Sequence, residues 1–194
     1  LFPYTTLFRS RLSFRGSSAV DLRSFVRSIP DFPIPGILFR DITPMLADAG
    51  ALRESVQQLV RAVDGQPVDK VIGIESRGFI FGTPLATEID AGFVPMRKPG
   101  KLPFTKLSRS YLLEYGEATL ELHTDAIEEG DRVVVVDDLL ATGGTARAAA
   151  ELVEEAGGEI VSLLFVIELL GLDGRAALGD RRVEVLMPMG ADGD

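Results

Sequence analysis

The period of the hydrophobic positions changes several times along the chain, and each change predicts an element. Leu22, Phe25, Val26 and Ile29 fall at helical spacing and Pro30 ends the run, which predicts a first helix. Residues 31–44, D-F-P-I-P-G-I-L-F-R-D-I-T-P, carry prolines and a glycine that argue against a regular element, so a fixed loop is expected. Leu52, Val56, Leu59, Val60 and Val63 then share one face of a helix over 49–63. Residues 70–75 read as a short buried strand, 76–78 (S-R-G) as a turn, 79–89 as a helix and 92–96 as another strand. Residues 99–109 have no period and read as a mobile loop, whereas 111–115 and 118–123 alternate about Gly116 as a hairpin would. An apolar run at 132–136 has strand length and the pattern of burial on both faces. A helix over 146–156, a strand over 159–167, a helical turn at 175–178 and a strand over 183–187 complete the pattern. Strand and helix alternate, so the fold class is α/β, a Rossmann-like parallel sheet flanked by helices. Residues 1–18 are basic, serine-rich and free of acids, and are read as a disordered or non-native leader. One domain is expected over 19–190, with a featureless tail at 191–194.

Composition narrows the chemistry. The 194 residues suit a single core, and no apolar run approaches the roughly 18 residues of a membrane helix. With no cysteine there is no disulfide, thiolate nucleophile or cysteine-bound zinc. His123 is the one histidine, so a multi-histidine metal site cannot form within one chain, and a Ser-His-Asp triad would depend on a residue that reads as an exposed strand histidine. Any metal is then a hard ion such as Mg²⁺ held by oxygen. The net charge of −9 argues against a nucleic-acid partner. Within that acidic chain, Arg97, Lys98, Lys101, Lys106 and Arg109 form a basic island suited to a small polyanion, although Lys106 and Arg109 also fit a solvated surface.

The strongest chemical signal is V-V-V-V-D-D-L-L-A-T-G-G-T-A-R, residues 133–147. A parallel strand presents acids at its carboxyl end, where open α/β sheets bind ligands. Gly143 and Gly144 let backbone N–H groups approach an anion, Thr142 and Thr145 add hydroxyls, and the following helix adds its N-terminal partial charge. Such a pocket suits a phosphate monoester. Asp137 and Asp138 would repel the phosphate unless they accept hydrogen bonds from a neutral part of the same ligand, which ribose hydroxyls satisfy; they can also sense Mg²⁺ through water. A ribose 5-phosphate is the expected ligand. Neither a G-x-x-x-x-G-K-[ST] loop nor a G-x-G-x-x-G after a strand is present. Alone, T-G-G-T would be a tight turn between strand and helix.

The full string, with Ala141 before the threonine, resembles the 5-phosphoribosyl-1-pyrophosphate (PRPP) signature of type I phosphoribosyltransferases. Four further strings, F-P-I-P-G-I-L-F-R-D-I-T-P, E-S-R-G-F-I-F-G, M-R-K-P-G-K-L-P and S-Y-L-L-E-Y-G, make residues 31–174 similar to the adenine-using branch of that family. The resemblance implies transfer of a phosphoribosyl group from PRPP to adenine, giving AMP and pyrophosphate, by a cytoplasmic homodimer that needs Mg²⁺. It implies a small N-terminal hood over the base and pyrophosphate held by Glu75, Ser76, Arg77, Gly78, Arg97, Lys98 and Lys101, with a non-proline cis peptide in the 75–78 turn. It implies adenine recognition at Leu38, Phe39, Arg40 and Leu169, although Phe39 could be plain core. Glu114 is implied as general acid/base and Tyr115 as the residue closing over ribose and pyrophosphate, with Arg77 beside them. Alternation alone would make Glu114 a solvent-facing strand residue. Residues 99–109 are expected to act as a lid that keeps water from an oxocarbenium-like state. A sibling enzyme using another purine, and a PRPP-sensing regulator without turnover, are the rival readings.

Overall fold

The computed structural model describes residues 20–112 and 116–191. A 3₁₀ turn (Leu22–Phe25) leads to β1 (Arg27–Ile29), β2 (Phe39–Asp41), α1 (Thr43–Ala47) and α2 (Ala49–Val63). Next come β3 (Lys70–Ile74), α3 (Gly78–Glu88), β4 (Gly92–Met96), β5 (Lys106–Leu112) and β6 (Glu117–His123). The chain closes with β7 (Arg132–Leu140), α4 (Gly144–Glu155), β8 (Glu159–Leu170), a 3₁₀ turn (Ala176–Leu178) and β9 (Val183–Gly190). Among the described residues, no helix is long and apolar enough to cross a membrane.

The main sheet is parallel, in the order β4-β3-β7-β8-β9. Consecutive valines of β7 show how sequence builds two layers. Val133 and Val135 face a core shared with α4 and the β5–β6 hairpin, while Val134 and Val136 face a second core shared with α2 and α3. Helix α2 is set by Asp48, whose carboxylate accepts from the Gly50 and Ala51 N–H groups at 2.9 and 2.8 Å. Numbered in chain order, the five sheet strands run 2-1-3-4-5, and the order reverses between β3 and β7. A crevice opens at the carboxyl ends of the strands at such a reversal.

Four expectations are corrected. The first helix is only one turn, capped by Asp21; Val26 is extended and Arg27–Ile29 pairs antiparallel with Phe39–Asp41. Pairing with a distant segment outweighs the local helical spacing. The fixed loop accordingly contains β2, and Pro44 falls in the first turn of α1, where its missing N–H costs nothing. Residues 106–109, expected in a mobile loop, belong to β5: Leu107 and Tyr111 pack inward on one core, and Arg109 reaches back to α4. Finally, β7 runs on to Leu140, so both aspartates lie within a strand whose ladder with β8 continues past them.

Candidate active site

The crevice is lined by the two segments that the strand reversal brings together. After β3 the chain turns through 75–78 with a cis peptide between Glu75 and Ser76, as the resemblance implied. Helix α3 then starts at Gly78 against the backbone of β7. A Cβ on Gly78 would lie 2.5 Å from the Val136 carbonyl oxygen, so only glycine allows this approach. That proximity carries Arg77 to Asp138, with Nε 3.0 Å from Oδ2.

After β7, residues 141–145 wrap a cavity of about 190 Å³ lined also by Arg77, Asp137 and Asp138. Gly143 has φ +81° and caps α4, and a Cβ there would meet the Gly174 carbonyl oxygen at 2.4 Å. Gly174 is as tightly placed, since its own Cβ would come 2.2 Å from the Ala141 carbonyl oxygen. The phosphate-type loop is thus held from outside by the 171–174 turn. Leu172-Asp173-Gly174 carried the turn chemistry that could have announced it. Thr145 donates through Oγ1 to the Tyr111 hydroxyl at 3.2 Å, which ties the loop to β5.

Electrostatics differ around the crevice. Burial, reinforced by the neighbouring Asp138 charge, raises the Asp137 carboxyl well above its ordinary range. Burial also raises the Asp138 carboxyl, against the pull of Arg77. At the other rim, Glu75 accepts from the Lys98 N–H at 2.7 Å and from Arg97 Nε at 3.0 Å. The Lys98 N–H holds the Glu75 carboxyl below its usual range, aided by Arg97 and, more distantly, by Lys101. The Arg97 guanidinium also lies 5.6 Å from the Phe79 ring centre.

The expected residues therefore gather in two groups. Asp137, Asp138, Ala141, Thr142, Gly143, Gly144 and Thr145 share one cavity with Arg77. Glu75, Arg97 and Lys98 form a second cluster, in which Glu75 Oε2 holds the Arg97 guanidinium and the Lys98 main-chain N–H. Phe39 is half-buried, 5.1 Å from the Phe32 ring, with the Arg77 guanidinium 6.0 Å from its own ring; this position joins it to the crevice. Leu38 is half-buried beside it. Leu169 is half-buried near the end of β8 and packs on the second core. The Arg40 side chain is buried, and its two terminal nitrogens are already engaged, donating to Ser28 Oγ and the Gly190 carbonyl.

Two members of the basic island are corrected. Lys106 pairs with Glu121 at 2.7 Å, and Arg109 pairs with Glu151 and Glu155 at 3.1 and 2.7 Å, so neither is a free cation for an anion. His123 is half-buried, accepting at Nε2 from the Phe104 N–H at 3.4 Å, and so is an anchor where an exposed strand residue was expected. Glu114 and Tyr115 lie outside the described residues.

The family model described as phosphoribosyl transferase domain matches residues 42–182. An adenine phosphoribosyltransferase of Methylococcus capsulatus is 58% identical over 166 residues, covering 86% of this chain and 97% of its own. The crystal structure of adenine phosphoribosyltransferase from Thermoanaerobacter pseudethanolicus aligns with a TM-score of 0.84 at 51% identity, covering 87% of this chain and 98% of that one. The Saccharomyces cerevisiae enzyme, complexed with adenine and an imino-altritol bisphosphate, aligns with a TM-score of 0.80 at 40% identity, covering 85% and 96%.

Proposed function

The chain belongs to the adenine phosphoribosyltransferases of the phosphoribosyltransferase family, and from that premise we propose how its residues divide the work. The reaction is a pentosyl transfer: adenine and PRPP give AMP and pyrophosphate, which salvages the purine. One observation carries the assignment. Asp137 and Asp138 face the 141–145 loop across a single cavity, the arrangement a ribose 5-phosphate requires.

The 5′-phosphate accepts from the N–H groups of 142–145 and from the Thr142 and Thr145 hydroxyls, while the ribose hydroxyls donate to Asp137 and Asp138. Arg77 exchanges Asp138 for pyrophosphate, and Ser76 and Gly78 offer N–H groups from the same turn. Arg97, Lys98 and Lys101 attract the leaving pyrophosphate from the opposite rim, and adenine N9 attacks the far face of ribose C1. Phe39, Leu38 and Leu169 pack on the base, and the 38–40 backbone reads its edge. On the family resemblance, Glu114 manages the N9 proton and Tyr115 closes over the reactants. Residues 99–105 act as the lid.

Mg²⁺ is read as arriving on PRPP. Among the described residues no group of three or more acidic or histidine side chains is placed to hold a metal, and Asp138 Oδ2 is engaged by Arg77. This donor set fits an ion that Asp137 and Asp138 contact through water. When bound, the ion offsets pyrophosphate charge. The working form is proposed to be a cytoplasmic homodimer, and family membership together with the open apolar groove along Leu52, Val56, Ile80 and Pro84 supports the dimer.

Adenine-dependent pyrophosphate release, measured with hypoxanthine, guanine and xanthine as competitors, tests the reading. Adenine is expected to win by a wide margin; comparable turnover of hypoxanthine would contradict the base assignment. Glu114→Gln is expected to lose roughly 100-fold or more in kcat. Parent-like activity in that variant would remove Glu114 from the chemistry.

A further inference from the structure

Residues 97–106 leave the sheet at the end of β4 and return as β5, and they carry Lys98 and Lys101. Both feet of this segment meet one buried residue that the reaction does not use, the first through its backbone and the second through its side chain. Glu121, on β6, is 5% exposed. Its backbone exchanges two hydrogen bonds with Arg97, at 2.9 and 2.7 Å. Its Oε2 accepts from the Gly100 N–H at 3.1 Å, and its Oε1 lies 2.7 Å from Lys106 Nζ. Gly100 has φ +79°, a backbone conformation that favours glycine at the point where the chain turns this N–H inward.

A carboxylate withdrawn from water persists only where donors replace its hydration. Here the donors come from the early part of the segment, Gly100, and from its far end, Lys106, so satisfying the buried charge also draws the two together. We infer that Glu121 is a positioning residue whose side chain clasps Gly100 to Lys106, beside its main-chain pairing with Arg97, and so sets where Lys98 and Lys101 stand. The inference rests on the reading that these lysines and Arg97 receive pyrophosphate. Lys106, which sequence alone groups with the anion-binding cations, instead serves the clasp.

AMP lacks the pyrophosphate and therefore separates positioning from general damage. The test measures the KM for PRPP, the Kd for AMP and hydrogen exchange across 97–106 in the full chain. Glu121→Ala is expected to raise the PRPP KM roughly 10-fold and Glu121→Gln roughly 3-fold, because the amide oxygen still accepts from Gly100 but no longer pairs with Lys106. AMP affinity stays within about twofold of the parent, and exchange across the segment quickens. Equal weakening of PRPP and AMP, or faster exchange with an unchanged PRPP KM, would overturn the inference. If Glu121→Ala does not fold, the near-isosteric Glu121→Gln carries the same comparison. Lys101→Ala provides the separate control. A parent-like PRPP KM there would remove the cation reading itself, and the inference with it, even if the Glu121 variants loosened the segment.

Discussion

The crevice contains two anion-binding regions built on different principles. The 141–145 loop uses backbone N–H groups, two threonine hydroxyls and the start of α4, and the one cation lining its cavity, Arg77, points to Asp138. The opposite rim uses cations held by carboxylates, with Arg97 on Glu75 and the flanking Lys106 on Glu121. The difference suits a reaction in which one phosphate stays with the product and the other group leaves. A neutral cradle closed by glycines binds through fixed dipoles and needs no rearrangement. Arg97, already satisfied by Glu75, exchanges partners at modest net cost, so it can receive a leaving group and release it.

Breaking the neutral cradle has the largest expected effect. Gly143→Ala places a methyl group against Gly174 at a positive φ, so kcat/KM for PRPP is expected to fall roughly 100-fold or more, with AMP binding lost in parallel. Asp137→Asn comes next, at roughly 50-fold in kcat/KM, because the ribose hydroxyls lose one of the two carboxyl groups that accept from them.

That same substitution has an opposite effect on stability. The raised Asp137 carboxyl means that the folded protein holds this proton more tightly than the unfolded chain. Its contribution to stability is therefore present in acid and declines as pH rises from the ordinary carboxylate range through the raised one. Thermal unfolding of ligand-free Asp137→Asn at neutral pH should show a midpoint higher by roughly a few degrees, and the difference should shrink in acid.

At the cationic rim, Arg97→Ala is expected to raise the PRPP KM roughly 10-fold while sparing AMP affinity, the reverse of the Gly143 pattern. Tyr111→Phe removes the acceptor of Thr145 Oγ1 and should raise the PRPP KM only about twofold to threefold, since the loop keeps its backbone donors.

The two regions also differ in how far they could be read from the sequence. The cradle is one continuous string, and its strand, acids, glycines and helix start sit in sequence as they sit in space. Helix α2 was legible for the same reason, because the Asp48 cap and a regular apolar face fix it locally. The clasps on the cationic rim join residues far apart in the chain, such as Glu75 with Arg97 and Lys106 with Glu121, and no local period announces such pairs. The start of β5, residues 106–109, was hidden because the inward Leu107 alternates with polar residues in a stretch that prolines and basic side chains mark as loop. The short pairing of β1 with β2 was hidden by helical spacing at its start. The parallel sense of the main sheet, by contrast, follows from strands alternating with helices.

A crystal structure of the AMP complex tests the central claim most directly. The account predicts the phosphate about 3 Å from the N–H groups of 142–145, ribose hydroxyls on Asp137 and Asp138, and no phosphate contact from Arg97, Lys98 or Lys101. A nucleotide whose phosphate sits on those three cations, with the 141–145 loop empty, would contradict it.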